Sequence, residues 1–354
     1  MEMLDCVRNN PKVLRSPNCV LILDEMSIEP RVEYSAHTHS IMGFTTIAPT
    51  KTDLNTVATN VLVFQISGIL ANYKFVIGWH LTGKTIDADD LNKFFLELLQ
   101  ALQDAGLNVR CVTSDMGCNN MQLWTFHEIF AHRSTKIALA PPSITAPLGN
   151  NYYNYSHYIK QTETSQPIYF VADSTHLFKS LRNMLLTHDF RIPAWAIRKW
   201  DIKKGDLVSW KWVTELYGLQ QQDLFQMSYK LTSSHITPSN LEKMRVSFAK
   251  QIISSDTAAT IRTMVACKLM DSRALPTATF FELAERWYKL INNRRPVLAM
   301  WKQNPDENNK TKEFLNEFML LLTQGTYFGI LLVHIKGPSR VKVRKIESKN
   351  DLKI

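Results

Sequence analysis

A chain of 354 residues with 45% hydrophobic and 21% charged residues has room for two domains at ~150 residues each and can bury a full core without a disulfide or metal staple. That composition excludes general disorder, collagen and coiled-coil repeats, and the longest apolar run, 328–333, is too short to cross a bilayer, so no membrane is expected as a partner. Lys plus Arg number 41 against 32 for Asp plus Glu, a net charge of +9, which favours polyanions such as nucleic acid.

The first strand expected in chain order is 19–24, a short run of branched apolar residues ending at Asp24. Residues 37–46 alternate loosely and suggest its hairpin partner. A third strand follows in two pieces, 61–69 and 73–79. At 91–102 the period changes to that of an amphipathic helix, with Asp87, Asp89 and Asp90 before it and Gly106 after it. Residues 109–113 form another strand, ending at Ser114 and Asp115. The order strand, strand, strand, helix, strand belongs to an α/β class with a mixed sheet. Prolines and asparagines mark 141–166 as a linker. A strand at 168–172 then ends at Asp173, and most of the remaining chain reads helical: 177–187, 209–216, 241–253, 257–269 and 277–291. The last stretch, 336–354, is a basic, solvated tail.

The five cysteines, Cys6, Cys19, Cys111, Cys118 and Cys267, are odd in number and lack the close spacing of a zinc finger or a disulfide framework, so they read as reduced thiols of an intracellular protein. Residues 1–10 have no apolar signal core.

Several constellations could carry chemistry. Asp24 and Asp115 each end a strand, and two carboxylates on one sheet edge can bind Mg2+ or Mn2+ for phosphoryl transfer; each could equally cap a turn. Residues 78–85, Gly-Trp-His-Leu-Thr-Gly-Lys-Thr, match a phosphate-loop pattern literally. Their bulky interior and the acids that follow favour an ordinary strand-to-helix turn. At the next junction, Asp173 could cap a helix or pair with His176 on a metal, while Lys179, Arg182 and Asn183 could offer a cation and an amide to a nucleotide. His37 and His39 share a strand face without a third ligand. Trp195, Trp200, Trp210 and Trp212 alternate with Lys199, Lys203, Lys204 and Lys211, a pattern for stacking bases or for core packing with snorkelling lysines.

Three segments carry a resemblance: Leu23-Asp24-Glu25-Met26-Ser27-Ile28, then 113–120 (Thr-Ser-Asp-Met-Gly-Cys-Asn-Asn), then 173–183 (Asp-Ser-Thr-His-Leu-Phe-Lys-Ser-Leu-Arg-Asn). In this order they resemble the P-element transposases and their THAP-domain relatives, with weaker support from Trp210-Lys211, 230–232, 243–246 and 286–292. The resemblance implies an RNase H-like catalytic fold interrupted by a mostly α-helical insertion domain that binds GTP as a cofactor. It also implies Mg2+-dependent DNA strand cleavage and joining by two aspartates and a glutamate. Asp24 matches the first aspartate and Asp115 the second; Asp173 and Lys179 match positions associated with GTP, and Lys211 is a third.

The division implied is 1–140 for the first part of the catalytic domain, 141–166 for the linker, 167–275 for the insertion and 276–354 for the start of a C-terminal part. The family's zinc-binding THAP domain and its late Asp-x-x-Glu-Asn-like motif have no match, and Glu313, Glu317 and Glu347 are the nearby downstream candidates for the missing glutamate with room to fold back. The expectation is therefore a nuclear, transposase-derived protein, truncated and weakly active or inactive, with DNA and GTP as partners and self-association left open. The alternatives are a domesticated nucleic-acid or nucleotide-binding module acting as a repressor or interaction protein, and a phosphate-loop NTPase resting on Lys84 and Thr85.

Overall fold

The computed structural model describes residues 7–47, 56–127, 143–144, 168–221, 226–293 and 304–328. Most of the expected linker, the basic tail with Glu347, and Cys6 lie outside the described residues.

A short helix, α1 (Pro11–Arg15), leads into β1 (Asn18–Ser27). Alternate residues Cys19, Leu21 and Leu23 of β1 are buried, the period-two signature of a strand with one packed face. β1 lies inside a six-stranded sheet of order β5-β4-β1-β6-β8-β7. β4 (Asn60–Gly68) runs antiparallel to β1, and β5 (Lys74–Thr82) antiparallel to β4. β6 (Asn108–Ser114) runs parallel to β1 and β8 (Ile168–Ala172) parallel to β6, with β7 (Ser143–Ile144) antiparallel at the far edge.

Helix α2 (Ala88–Asp104) joins the antiparallel half to the parallel half, and Asp87 caps it by accepting from the amides of Asp89 and Asp90. Its buried stripe, Leu91, Phe95, Leu98, Leu99 and Leu102, joins Leu21, Leu23, Phe64 and Val112 in one core. A shorter helix, α3 (Cys118–Phe126), follows β6 directly.

Two expectations for this half are corrected. Residues 37–46 do not pair with β1. Ser40–Met42 (β3) pairs with Glu33–Ser35 (β2) in a separate two-stranded ribbon, and His37 and His39 sit in its turn. The place beside β1 goes to β4 because Leu62, Phe64 and Ile66 bury a continuous apolar face, whereas Tyr34 and Ile41 on the ribbon stay exposed. The strand expected in two pieces is a hairpin of β4 and β5, closed by a hydrogen bond from Gly68 N to Tyr73 O of 3.0 Å.

Beyond β8 the chain is helical, with α4 (Ser174–Leu185), α5 (Ala194–Lys199), α6 (Lys211–Gln220), α7 (Ser233–Ile236), α8 (Asn240–Lys243), α9 (Val246–Ile252), α10 (Ser255–Ala266), α11 (Leu275–Ile291) and α12 (Pro305–Gln324). A small sheet of β9 (Asp189–Arg191), β10 (Leu207–Val208) and β11 (Thr326–Phe328) closes one side. The helix expected over 241–253 breaks between α8 and α9. Phe178, Phe190, Trp212, Phe280, Phe281, Phe314 and Phe318 share a second core. Two placements differ from the division read in the sequence: β8 pairs within the large sheet, and α11 and α12 pack their phenylalanines into the helical body.

Candidate active site

Three aspartates stand level across three adjacent parallel strands: Asp115 and Asp173 directly follow the last residues of β6 and β8, whereas β1 does not end at Asp24 as expected but runs on to Ser27, paired with β4. Leu23 of β1 is level with Ser114 of β6, and Ser114 with Ala172 of β8. The next residue on each strand is Asp24, Asp115 and Asp173. This end of the parallel strands is where ligands bind in open sheets, because β6 and β8 stop there and the loops that follow them splay apart.

Asp24 follows the buried Leu23 on the opposite face of β1 and is exposed. Asp115 is half-buried and folds back onto its own loop: its Oδ1 accepts from Gly117 N at 2.9 Å and from Asn120 Nδ2 at 2.6 Å. Gly117 leaves room for that fold, since a Cβ there would sit 3.0 Å from Asp115 Oδ1 and press the carboxylate aside by a few tenths of an ångström. Among the described residues both side-chain hydrogen bonds of Asp115 fall on Oδ1, leaving Oδ2 for another partner. Next to Asp24, Glu25 is clamped. Its Oε1 accepts from Asn60 Nδ2 at 2.9 Å and Thr82 Oγ1 at 3.2 Å, and its Oε2 from Asn119 Nδ2 at 3.2 Å. The indole of Trp124 donates to Ser114 Oγ at 3.1 Å. One turn of α3 therefore grips both acid-bearing strands.

Asp173 accepts from Thr175 N at 3.0 Å and Thr175 Oγ1 at 2.5 Å, caps α4, and lies 2.7 Å from His176 Nδ1. Its own amide donates to Ser114 O at 2.9 Å. Partial burial acts to raise its pKa, but the two Thr175 bonds and His176 outweigh it, so the carboxyl is held below its ordinary value. Asp173 is thus bound into a helix cap and a contact with His176 at the edge of the large sheet.

Among the described residues no group of three His, Cys, Asp or Glu side chains is arranged to hold a metal ion. Asp24 and Asp115 fit a smaller role: hard carboxylate oxygens, one exposed and one with a free oxygen. That suits Mg2+ or Mn2+, which commonly take one or two carboxylates and complete their shells with water and substrate phosphate.

On α4, Lys179 and Asn183 lie four residues apart on one face. Lys179 is half-buried and makes no hydrogen bond or ion pair among the described residues. Asn183 is committed: its Oδ1 accepts from Arg182 Nε at 2.7 Å and its Nδ2 donates to Lys243 O at 3.2 Å. Lys211 opens α6 exposed, 4.8 Å from the Trp212 ring centre.

Residues 2–128 match the family model described as the TNP-like RNase H N-terminal domain, and 175–304 match the TNP-like GTP-binding insertion domain. Together with the matching fold these decide the family. The chain belongs to the P-element transposase family. Among curated relatives it is 23% identical to the transposable element P transposase of Drosophila melanogaster over 276 residues, 78% of this chain and 30% of that protein. It is 21% identical to the DNA transposase THAP9 of Homo sapiens over 282 residues, 78% of this chain and 28% of that protein. The chain therefore spans less than a third of the length of either relative. The solved Drosophila P element transposase strand transfer complex aligns with a TM-score of 0.67 at 21% identity, over 96% of this chain and 64% of that one. The RNase H-like fold with an inserted helical domain, expected from the sequence, is the observed one.

Within this P-element fold the remaining candidates find structural work. Gly78 lies inside β5 opposite Phe64, and the helix after Lys84 opens only at Ala88, so 78–85 is no phosphate loop. His80 sits 4.1 Å from the Phe94 ring centre, and burial pushes its pKa down. Trp212 is buried, and Trp195, Trp200 and Trp210 pack against the helical core. Glu313 and Glu317 both pair with Lys199, at 3.2 and 2.7 Å.

Sequence reasoning singled out Asp24 and Asp115 but missed Glu25, Gly117, Asn119 and Asn120 as the frame around them. Their signal was present: a glycine and two asparagines at a helix start, directly after the strand-end acid.

Proposed function

We propose that this chain carries the two-aspartate core of a Mg2+-dependent DNA strand-cleaving and joining site, with GTP held by the helical body as a cofactor and the nucleus as its place of work. The carrying observation is the register of Asp24 and Asp115 one step past Leu23 and Ser114 on paired parallel strands. Asp24 presents an exposed carboxylate and Asp115 an oxygen not engaged by its loop, so both could hold a metal ion that leaves positions for water and DNA phosphate. When bound, Mg2+ would supply charge neutralisation at the scissile phosphate and lower the cost of deprotonating the attacking water or DNA 3′-hydroxyl. The chain's own residues orient that centre: β1 and β6 fix the spacing of the two acids, and the Asp115 loop keeps one carboxylate from swinging away. Lys179 is the candidate for the GTP phosphates because it is a cation free of other commitments, with Lys211 second. Asn183 and Asp173 serve that helix face as a brace and a cap.

The test is purified protein with Mn2+ and duplex substrates carrying P-element-like ends, compared with Asp24→Ala. The expected outcome is metal binding and weak nicking, both lost in Asp24→Ala; equal nicking in the two proteins overturns the reading. In the same preparation Lys179→Ala should weaken GTP binding and Lys84→Ala should not, and the reverse pattern would return the site to residues 78–85. A second reading, a DNA- or nucleotide-binding module without cleavage, is favoured by one observation. Glu313 and Glu317, the described acids closest to a third catalytic role in the sequence, are both taken by Lys199. Metal-independent DNA binding with no nicking at any Mn2+ concentration is its signature.

A further inference from the structure

The first turn of α3 touches both acid-bearing strands through adjacent residues. Asn120, 3% exposed, donates from Nδ2 to Asp115 Oδ1 at 2.6 Å. Asn119, 7% exposed, donates to both oxygens of Glu25, the neighbour of Asp24, at 3.2 and 3.5 Å. Glu25 is in turn anchored to β4 through Asn60 and to β5 through Thr82. Two buried amides directed at two carboxylates are costly features unless their bonds are kept, because an unsatisfied buried amide loses its water without return. A purely structural helix start needs no such pair. An ordinary cap residue would serve, and here Gly117 at the cap position has no side chain with which to cap.

We infer that Asn120, assisted by Gly117, is a positioning residue that presents one oxygen of Asp115 to the catalytic metal. Asn119 performs the matching service for β1 through Glu25. This rests on the reading of Asp24 and Asp115 as metal ligands. The amide of Asn120 and the amide nitrogen of Gly117 both bind Oδ1, which fixes the carboxylate and leaves Oδ2 without a hydrogen bond among the described residues. The absent side chain at Gly117 leaves the space that this arrangement needs, since a Cβ would stand 3.0 Å from Oδ1. Groups that orient metal-binding carboxylates in this way are commonly worth 10- to 100-fold in metal affinity. Asn119 acts one step further away, so its effect should be the smaller.

The experiment is Mn2+ titration of the full chain, followed by electron paramagnetic resonance of the free ion, with a melting curve on each protein. Asn120→Ala should weaken Mn2+ binding by about 10- to 100-fold. Gly117→Ala, whose backbone φ of −63° suits alanine, should weaken it in the same direction while leaving the melting temperature close to wild type. A merely structural role for Asn120 predicts the opposite split, a lowered melting temperature with unchanged Mn2+ affinity. Should Asn120→Ala not fold, Gly117→Ala decides, because it moves the same carboxylate with every hydrogen-bonding side chain in place. Wild-type binding lost in Asp24→Ala but kept in folded Asn120→Ala and in Gly117→Ala overturns the positioning role alone. Wild-type protein that binds no Mn2+, or Asp24→Ala that binds like wild type, overturns the metal site and the positioning role with it.

Discussion

The sheet body and the helical body treat charge in opposite ways. In the sheet, Asp24 of β1 and the residues just past β6 and β8, Asp115 and Asp173, are brought level by backbone register alone and left partly open to solvent. In the helical body, Arg182 is fully buried and spends its guanidinium on the Glu242 and Lys243 carbonyls and on Asn183, with Nη1 unpartnered. Burial pushes its pKa down. A strand end offers a charged residue an exit from the packed face. A helix in a bundle must either bury the charge as a strut, as with Arg182, or leave it on an outer face, as with Lys211. Chemistry at the sheet edge can therefore be inferred from register, whereas a site in the helical body must be inferred from which cations remain uncommitted.

The largest expected effects test whether the two bodies are energetically separate. Phe280 in the helical core and Phe64 in the sheet core belong to different buried clusters. Each truncation to alanine should cost about 3–5 kcal/mol, combining lost transfer energy with a cavity. Phe280→Ala should lower the stability of the helical body and weaken GTP binding while Mn2+ binding persists at temperatures where the sheet remains folded. Phe64→Ala should do the reverse. Calorimetry with each ligand present checks this, and loss of Mn2+ binding in Phe280→Ala would show that the bodies fold as one unit.

A second, somewhat smaller effect sharpens the contrast within the sheet body, where a histidine is deeply buried. His127 closes α3 at 4% exposure, with its ring centre 5.6 Å from that of Phe95 and 5.9 Å from that of Phe170. Burial lowers its pKa to about 4. Between there and the ordinary value near 6.5, the unfolded chain holds a proton that the folded chain does not, so stability rises with pH across that window. The linked loss on acidification from pH 7 to 4 is about 3 kcal/mol at most. His127→Phe should flatten this part of the pH–stability curve, as urea unfolding at several pH values would reveal. An unchanged slope would place the acid sensitivity elsewhere.

The legible parts of the molecule were those governed by a single periodicity or by a boundary. The run before Asp24 and the stripe of α2 announced themselves because burial on one face leaves a repeating pattern. Asp24, Asp115 and Asp173 were legible because each follows an apolar run, though β1 continues past Asp24 to Ser27. The ribbon of β2 and β3 was misread because its alternation is real but faces solvent, and pattern alone does not say which strand wins the place beside β1. The frame of Glu25, Asn119 and Asn120 stayed hidden for another reason. Its partners lie up to 94 residues apart in the chain, and a polar residue's partner leaves no periodic trace. Asn183 shows the same thing: the sequence sets an amide beside a lysine, and gives no sign of its bond to the Lys243 carbonyl 60 residues away.

The smallest effect concerns Asp173, which joins the two bodies, with its amide on β6 of the sheet and its carboxylate on the first turn of α4. Its folded pKa lies below the ordinary value because the Thr175 bonds and His176 outweigh desolvation. The sign follows directly: the native state releases the proton more readily than the unfolded chain, so the stabilisation is complete above the ordinary carboxyl pKa near 3.9 and is lost as pH falls through the lower native value. Asp173→Ala removes an N-cap and should cost about 1 kcal/mol at pH 6, with the gap to wild type narrowing towards pH 2. Asp173→Asn can still accept from the Thr175 amide, so it should cost less and lose the acid-linked slope. Unfolding curves followed by tryptophan fluorescence, dominated by Trp195, Trp200, Trp210, Trp212 and Trp287 of the helical body, assign the loss to one body. A shift in that signal alone would mean that Asp173 stabilises mainly the helix it caps, whereas an equal shift in the sheet's transition would show that the strand-to-helix junction couples the two cores.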